Sequence, residues 1–329
     1  MSAATPVPRV SVVVPTCGRP VLLQRCLIAL RHQRLPTDEY EIIVVDDGWS
    51  EETHALVARM ARGAGAALIR YLRSPSSRGG PAAARNVGWR HAKADIIAFT
   101  DDDTVPSREW LHEGLRALQA QHAAITGRVK VPLPAEPTDW DLNTAGLTRA
   151  EFVTANCFVR RNALELVDGF DERFRRPWRE DSDLQFSLLR SGQYIGTAPE
   201  ALVLHPVRPA PWGVSLKTQK NNFFEALLFK KHPQLYRLRI APHAPWSYYL
   251  VTGLLLLALI GLLADNGFLA VLCLLIWLGW TAGFAYRRLR NTQRSLRHVA
   301  EMLFTSALIP PIAIFWRIAG AFKFKVRFA

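Results

Sequence analysis

Two long stretches without a charged residue lie towards the C-terminal end of this 329-residue chain. They run from Ser247 to Ala264 and from Phe268 to Tyr286, and Asp265–Gly267 form a tight turn between them. As helices with a rise of about 1.5 Å per residue, each is long enough for ~30 Å of hydrocarbon. The alternative is a buried hairpin in a soluble domain, but basic residues flank both stretches, as they flank membrane segments. We therefore predict a transmembrane helical hairpin.

Two segments on either side of this hairpin have a different character. From Trp212 to Lys231 apolar residues recur at helical spacing among lysines, which predicts an amphipathic helix on an anionic membrane surface or packed on a soluble domain. From Met302 to Trp316 the uncharged segment spans only about 22 Å as a helix, and Pro310 and Pro311 are expected to break it. We expect a re-entrant or interfacial segment there, with a third span as the alternative.

The basic residues also predict an orientation in the membrane. The formal net charge is +13, which favours anionic partners such as phosphates, nucleic acid or an acidic membrane face. Arginine and lysine cluster just before the first apolar stretch and just after the second. Because such flanks stay in the cytoplasm, both ends of the hairpin are expected there and Asp265–Gly267 outside. The four cysteines are scattered and form no CxxC pair, which fits a reducing compartment.

The first part of the chain alternates short apolar runs with helical segments. Four runs are interpreted as buried strands: Val10–Pro15, Glu41–Asp47, Ala67–Leu72 and Asp95–Thr100. Helices between them with short connections predict an α/β fold, a mostly parallel sheet with helices on both faces. Residues 132–150 are expected to form a long loop, and residues 201–205 a final strand. Ligands of such sheets bind at the carboxyl ends of the strands.

Acidic residues stand at two of these strand ends. Asp46 and Asp47 end the second strand, and Asp101, Asp102 and Asp103 follow the fourth. Adjacent carboxylates repel one another, so either a cation visits them or they face water in a turn. A D-x-D pair made by Asp101 and Asp103 can hold Mg²⁺ or Mn²⁺ together with substrate phosphates. A solvated acidic turn is the alternative.

Three further features carry chemical groups. Glu180, Asp181 and Asp183 open a helix, where acidic residues complement the helix dipole but a carboxylate is also able to act as a general base. His205 ends the last strand, and a lone histidine in such a place is more often structural than a ligand. Arg85 follows two glycines and suits a phosphate, although the segment matches neither the dinucleotide-binding nor the P-loop pattern.

The acidic triplet also fits another class of enzyme. The stretch Asp101–Val105 matches the nucleophile loop of haloacid-dehalogenase-type phosphatases, with Asp101 as nucleophile and Asp103 as acid. In that fold the loop normally follows the first strand, whereas three predicted strands precede it here. No later G-D-x-x-x-D motif supplies the metal. We keep this class as a weaker alternative.

Taken in order, five segments resemble the family 2 glycosyltransferases, which have the GT-A fold. The segments are Val10–Leu30, Glu41–Thr53, Gly79–Pro106, Asn156–Gly192 and Ala201–Val207. They include A-R-N, D-x-D, G-F-D and E-D motifs, and the match of five segments in this order makes the resemblance highly specific. Two departures stand out: Val167–Phe170 holds one glycine where many members have two, and Trp49 rather than serine follows Gly48.

The resemblance implies an inverting transfer from a nucleotide-sugar donor, with Mg²⁺ or Mn²⁺ as cofactor. Asp181 is the expected catalytic base, and Glu180 and Asp183 lie on the acceptor side. Donor-binding residues would be Thr16, Arg19, Asp46, Asp47, Arg85 and Asp102, and metal ligands Asp101, Asp103 and His205. The acceptor is expected to be a hydroxyl or phosphate of a lipid-linked or membrane-proximal glycan. Membrane lipids are further partners, and no nucleic acid is expected.

These expectations define a domain organisation. The catalytic domain is expected at residues 1–211, an amphipathic interface region at 212–245, the transmembrane hairpin at 246–287, and a basic juxtamembrane and re-entrant segment at 288–329. The predicted location is the plasma (inner) membrane, with several spans and a cytoplasmic catalytic domain. The alternative from another functional class is a membrane-anchored, non-catalytic protein that binds nucleotide sugars.

Overall fold

The structure is a computed structural model in which residues 7–62, 67–75, 77 and 79–328 are described. The two outer limits of the predicted domain organisation, residues 1 and 329, lie outside the described residues. The chain forms two compact units. The first contains residues 1–132 and 145–206, and the second contains residues 133–144 and 207–329.

A single mixed sheet forms the centre of the first unit. Its described strands are β1 (Val10–Thr16), β2 (Tyr40–Asp46), β3 (Leu68–Arg73), β4 (Ile96–Phe99), β5 (Val105–Pro106), β6 (His122–Lys130), β7 (Cys157–Arg160) and β8 (Tyr194–Leu204). They are ordered β3-β2-β1-β4-β7-β6-β8-β5. Strands β1 to β4 pair in parallel, whereas β7 is antiparallel to both of its neighbours. The predicted α/β sheet is thus confirmed.

Helices connect these strands in chain order. They are α1 (Pro20–Arg31), α2 (Glu51–Met60), α3 (Pro81–His91), α4 (Trp110–Ala117), α5 (Asp139–Ala145), α6 (Arg161–Leu166) and α7 (Glu180–Arg190). Prolines in the first turn start α1 and α3, where a missing N–H is harmless. The Ser50 hydroxyl accepts a hydrogen bond from the Thr53 amide at 3.2 Å and caps α2.

The expected long loop at residues 132–150 is wrong in part. Helix α5 and a 3-10 turn at Gly146–Arg149 occupy most of its second half. The local reason is a cap, because Asp141 Oδ2 accepts hydrogen bonds from the amide and hydroxyl of Thr138, both at 2.7 Å. This reciprocal arrangement starts a helix in a stretch whose proline and aspartate content favours a loop.

Both faces of the sheet are buried, which explains the unbroken apolar strands. Val12 and Val14 pack into one apolar cluster and Val13 into the other. Helix α3 packs tightly over β1 because Gly88 has no side chain: a Cβ there would lie 2.3 Å from Val13 Cγ1. This close approach places Arg85, one turn earlier on α3, above the carboxyl ends of the strands.

The second unit is helical. Its remaining helices are α8 (Val214–Thr218), α9 (Asn222–Lys231), α10 (Pro233–Arg239), α11 (Trp246–Leu263), α12 (Gly267–Leu289) and α13 (Leu296–Phe324), with a 3-10 turn at Gln219–Asn221. Within the described part of the chain, three helices are long and apolar enough to cross a membrane: α11, α12 and α13, with mean hydropathies of 2.0, 2.1 and 1.6. The helical hairpin has the predicted form, and the Asn266 side chain caps α12.

Helix α13 corrects one expectation. Pro310 and Pro311 do not break it, and it continues for 29 residues, about 43 Å. The predicted break at these two prolines is therefore wrong. A proline inside a helix costs about 3 kcal/mol through its lost hydrogen bond and its clash, and burial of the surrounding Ile309 and Ala313 offsets part of that cost. Whether α13 crosses the membrane stays a prediction.

Candidate active site

Asp101, Asp103 and His205 come together at the carboxyl edge of the sheet. Their ligand atoms lie within 4.8 Å of one another, and His205 Nε2 is 3.6 Å from Asp103 Oδ1. The short strand β5 pairs Val105 with Leu204 at the end of β8, and this pairing brings the histidine beside the acidic turn. Two carboxylates and an imidazole suit Mg²⁺ or Mn²⁺. His205 Nδ1 is buried and has no hydrogen-bond partner among the described residues, which also fits a ligand role.

Asp101 is held in its charged form by a neighbouring arginine. Burial alone would raise the pKa of Asp101, but the Arg85 guanidinium, 2.7 Å from Oδ1, keeps it below its usual range. A carboxylate that stays ionised is what a cation requires as a ligand. Arg85 therefore supports the cluster through Asp101.

Asp102 points away from the cluster and fastens the loop after β1. Thr16 Oγ1 donates to its Oδ2 at 2.7 Å, and Arg19 Nη2 lies 2.9 Å from its Oδ1. Burial raises the pKa of Asp102 to about 7, although Arg19 and Thr16 act in the opposite direction. Arg19 also reaches Asp103 Oδ2 at 3.7 Å. The three predicted donor-binding residues Thr16, Arg19 and Asp102 thus form one group beside the cluster.

Asp46 and Asp47 are buried at the end of β2 and shape the neighbouring loops. Asp46 accepts hydrogen bonds from the Gly48 and Ser50 amides, both at 2.8 Å, and from the Tyr71 hydroxyl at 2.9 Å. Asp47 accepts from the Ser74 hydroxyl and from two glycine amides at residues 79 and 80. Both carboxylates have most of their acceptor positions occupied by the protein itself. Their predicted contact with the nucleotide stays a prediction.

Arg85 lies between two acidic groups rather than at the surface. Its Nη1 donates to Glu180 Oε1 at 3.0 Å and its Nη2 to Asp101 Oδ1 at 2.7 Å. Burial raises the pKa of Glu180 to about 7, against the opposing effect of Arg85. This network connects the acidic turn after β4 with the start of α7. The predicted contact of Arg85 with a diphosphate stays a prediction.

The first turn of α7 presents one carboxylate more openly than the others. Glu180 and Asp183 are buried, with relative exposures of 4% and 1%, whereas Asp181 is only half-buried. Asp181 Oδ1 accepts a hydrogen bond from the Ser182 amide at 2.7 Å. Burial still raises the pKa of Asp181, which makes its carboxylate a stronger proton acceptor. Of the three acidic residues, Asp181 therefore suits a base best.

Two structural residues of the site were not singled out from the sequence. Tyr71 on β3 fixes the Asp46 carboxylate through its hydroxyl, at 2.9 Å, and no feature of the β3 sequence indicated this contact. Asn86 in the A-R-N motif exchanges two hydrogen bonds with the backbone of Phe170, at 2.8 and 2.9 Å. This joins α3 to the G-F-D segment, and a Cβ on Gly169 would lie 2.6 Å from Asn86 Oδ1. The A-R-N motif contains Asn86, but nothing in the motif indicated that Asn86 would bind the backbone of Phe170.

Comparisons with known proteins identify the class. The family model described as glycosyl transferase family 2 matches residues 11–174, and the one described as glycosyl transferase family group 2 matches residues 96–316. The second match covers more than half of the chain. The chain therefore belongs to the family 2 glycosyltransferases.

Individual relatives agree with this assignment. Glycosyltransferase AglE of Haloferax volcanii is 29% identical over 230 residues, which cover 64% of this chain and 71% of AglE. The GalNAc(5)-diNAcBac-PP-undecaprenol beta-1,3-glucosyltransferase of Campylobacter jejuni is 32% identical over 96 residues, 29% of this chain and 30% of that enzyme. The chain spans between 27% and 52% of three further curated relatives.

A solved structure matches nearly the whole chain. Mannosyltransferase PcManGT from Pyrobaculum calidifontis, in complex with GDP-Man and Mn²⁺, superposes with a TM-score of 0.56 and 21% identity. The match covers 97% of this chain and 87% of that chain. Similarity at this level of identity concerns the fold, and it confirms the expected GT-A architecture. The haloacid-dehalogenase alternative has no support from the fold.

Proposed function

We propose that the protein is an inverting, metal-dependent glycosyltransferase that acts on a lipid-linked or membrane-proximal acceptor. The observation that carries this proposal is the cluster of Asp101, Asp103 and His205 at the same sheet edge as the network that leads to Asp181. A metal cluster suits the donor diphosphate, and a half-buried carboxylate suits the acceptor hydroxyl. Retention of both groups argues against a non-catalytic binding protein.

On the donor side, Asp101, Asp103 and His205 would hold Mg²⁺ or Mn²⁺. When bound, such an ion neutralises the negative charge that builds on a departing diphosphate. The PcManGT complex with GDP-Man and Mn²⁺ supports this donor class. Arg85 keeps Asp101 ionised, and the Thr16–Arg19–Asp102 group fixes the loop against which the donor would bind.

On the acceptor side, Asp181 would remove the proton of the attacking hydroxyl. The oxygen then forms a bond to the anomeric carbon from the face opposite the diphosphate. The bond between that carbon and the diphosphate oxygen breaks, and the nucleoside diphosphate leaves with the bonding electron pair. One displacement inverts the carbon, and Asp181 passes its proton to water afterwards. A raised pKa in this carboxylate favours the proton transfer.

The second unit supports an acceptor in the membrane. Helices α11, α12 and α13 are each long and apolar enough to span a bilayer, and basic flanks favour a cytoplasmic catalytic unit. The Campylobacter jejuni relative carries PP-undecaprenol in its name, which supports a polyprenyl-linked glycan as the acceptor class. Such a substrate would be held by its lipid while its sugar reaches the cytoplasmic side.

A donor panel tests this function. The purified protein in native membrane lipid would be incubated with UDP-, GDP- and dTDP-sugars, with and without Mn²⁺, and the released products identified. We expect a nucleoside diphosphate, released only when Mn²⁺ is present. The matched variants are Asp181→Asn, which removes the proposed base, and Asp168→Asn on an exposed turn, where 96% of the side chain is exposed. Release of inorganic phosphate, or donor binding without any product, would contradict the proposal.

A further inference from the structure

Trp49 combines two features that are unfavourable for a bulky side chain. It lies in the loop after β2 with φ of 55°, in the left-handed region that non-glycine residues rarely adopt. Its side chain does not belong to the hydrophobic core, because 44% of the residue is exposed. A chain that keeps a large aromatic residue exposed and in a strained conformation needs a reason other than packing.

The strained conformation is imposed by the buried carboxylate of Asp46. Oδ1 accepts the Gly48 amide and Oδ2 accepts the Ser50 amide, each at 2.8 Å. These two amides belong to the residues directly before and after Trp49, so one carboxylate binds the backbone on both sides of it. The Tyr71 hydroxyl, 2.9 Å from Oδ2, keeps the carboxylate in place. The loop therefore holds Trp49 in one position before any ligand binds.

The indole ring is fixed as well. Trp49 Nε1 donates to the carbonyl oxygen of Ser74 at 3.0 Å, and the Ser74 hydroxyl donates to Asp47 at 2.8 Å. The ring thus reaches from the end of β2 to the end of β3. Among the described residues no other aromatic ring stacks on it. The indole is thus fixed through its edge, while 44% of the residue stays exposed to a ligand.

The loop after β1 connects this ring with the metal cluster. A Cβ on Gly48 would lie 3.2 Å from the Gly18 amide and 3.3 Å from Cys17 Sγ, so the loops after β1 and β2 are in close contact. The loop after β1 also carries Arg19, which binds the acidic turn. Trp49 and the cluster therefore stand at two ends of one continuous edge. A nucleoside diphosphate has matching ends, an aromatic base and a charged diphosphate.

We propose that Trp49 is a preorganised stacking platform for the nucleobase of the donor. This inference rests on the proposed function, since it concerns the donor of that reaction. Purines and pyrimidines both present a flat π-face, so the platform supplies affinity for a base rather than a choice among bases. In this arrangement Asp46 acts as a positioning residue, because it shapes the loop that carries Trp49.

The test compares ligands with and without a base. Binding of UDP, GDP and pyrophosphate, each with Mn²⁺, would be measured by calorimetry for the parent, Trp49→Asn and Trp49→Phe. Asparagine tolerates the left-handed conformation but has no aromatic face. For Trp49→Asn we expect nucleoside diphosphate binding to weaken roughly 5- to 150-fold and pyrophosphate binding to stay unchanged. Trp49→Phe should bind nearly as the parent does. Tyr194→Ala, which removes an exposed aromatic elsewhere in the unit, is the control.

Each outcome decides between defined alternatives. Equal nucleoside diphosphate binding by the parent and Trp49→Asn would overturn the platform and leave the proposed function intact. Parallel loss of pyrophosphate binding in Trp49→Asn would also overturn it, because the residue would then only support the fold. If the parent binds none of the three ligands, the proposed function fails and the platform fails with it. Selective loss of nucleoside diphosphate binding supports the platform.

Discussion

Replacing Arg85 with glutamine should destabilise the first unit strongly. Only 3% of the Arg85 side chain is exposed, and its two partners, Asp101 and Glu180, have side-chain exposures of 27% and 5%. Glutamine is too short and uncharged to satisfy both carboxylates. Breaking a buried ion pair by removing one partner typically costs about 3–5 kcal/mol, because the remaining charge is left uncompensated.

The surroundings of each carboxylate place the expected cost near the lower end of that range. Asp101 is partly exposed and can be solvated by water. Glu180 can take up a proton, since burial already raises its pKa from 4.5 to about 7. If the free energy of unfolding falls by ~3 kcal/mol, the melting temperature of a domain of about 150–250 residues should fall by roughly 6–12 °C in Arg85→Gln.

The same reasoning gives a pH dependence with a definite sign. A carboxyl whose pKa is raised in the folded protein binds more protons there than in the unfolded chain, so stability falls as pH rises between the two values. For Glu180 that window runs from 4.5 to about 7 in the parent. Because Arg85 lowers the pKa of Glu180, its loss moves the upper limit of this pH window to a higher pH. The deficit of Arg85→Gln should therefore be larger at pH 8 than at pH 5.5.

The assay is thermal unfolding in lipid nanodiscs, followed by near-ultraviolet circular dichroism. The matched control is Arg90→Gln on the same helix, where the arginine is 45% exposed and pairs with Asp168 at 3.3 Å. A surface pair contributes about 0–1 kcal/mol, so this variant should melt close to the parent. Adding Glu180→Gln to Arg85→Gln should recover part of the loss. If Arg85→Gln melts like Arg90→Gln at pH 8, the account of the buried network is wrong.

Three further predictions concern the site and the membrane. Asp181→Asn should lower transfer about 10²- to 10⁴-fold while calorimetry still detects donor binding; near-parental transfer would exclude the base role. Asp103→Ala should abolish Mn²⁺-dependent donor binding and His205→Ala should weaken it less, and intact binding in Asp103→Ala would contradict the metal assignment. Reporter fusions after Gly267 and after Ala329 should report opposite sides of the membrane, and equal sides would show that α13 crosses.

The central strands were predictable because each is buried on both faces and therefore forms an unbroken apolar run. Strand β5 was not, since Val105 and Pro106 carry no pattern of their own and pair only through β8. That pairing decides the position of His205, a residue about a hundred positions further along the chain. Sequence spacing could therefore name the histidine as a candidate ligand but could not bring it to the acidic turn.

The same limit applies to the partners of the acidic residues. A pattern identifies Asp46 and Asp101 by type and position, whereas their function depends on which donors already occupy their oxygens. The Asp46 carboxylate accepts hydrogen bonds from the loop that carries Trp49, and the Asp101 carboxylate accepts one from Arg85. The Asp46 contacts are local, because Gly48 and Ser50 belong to the loop that directly follows it, whereas the Asp101 contact comes from Arg85 on helix α3. The Arg85 contact follows from the tertiary packing of α3 over β1, which no local pattern records.

The predicted break of helix α13 at its prolines is wrong, whereas its predicted place on one side of the membrane stays a prediction. Its length alone now permits a span, because the two prolines do not interrupt it. Yet residues near both of its ends contact the segment from Gly213 to the end of α9: the Gly213 amide donates to Glu301 at 2.6 Å, and Lys230 donates to the Phe324 carbonyl at 2.7 Å. That segment is basic and precedes the first apolar helix, so it stays on one side of the membrane. We therefore expect a helix held to it near both ends to lie along that side rather than across the bilayer, which is why the two reporters should differ.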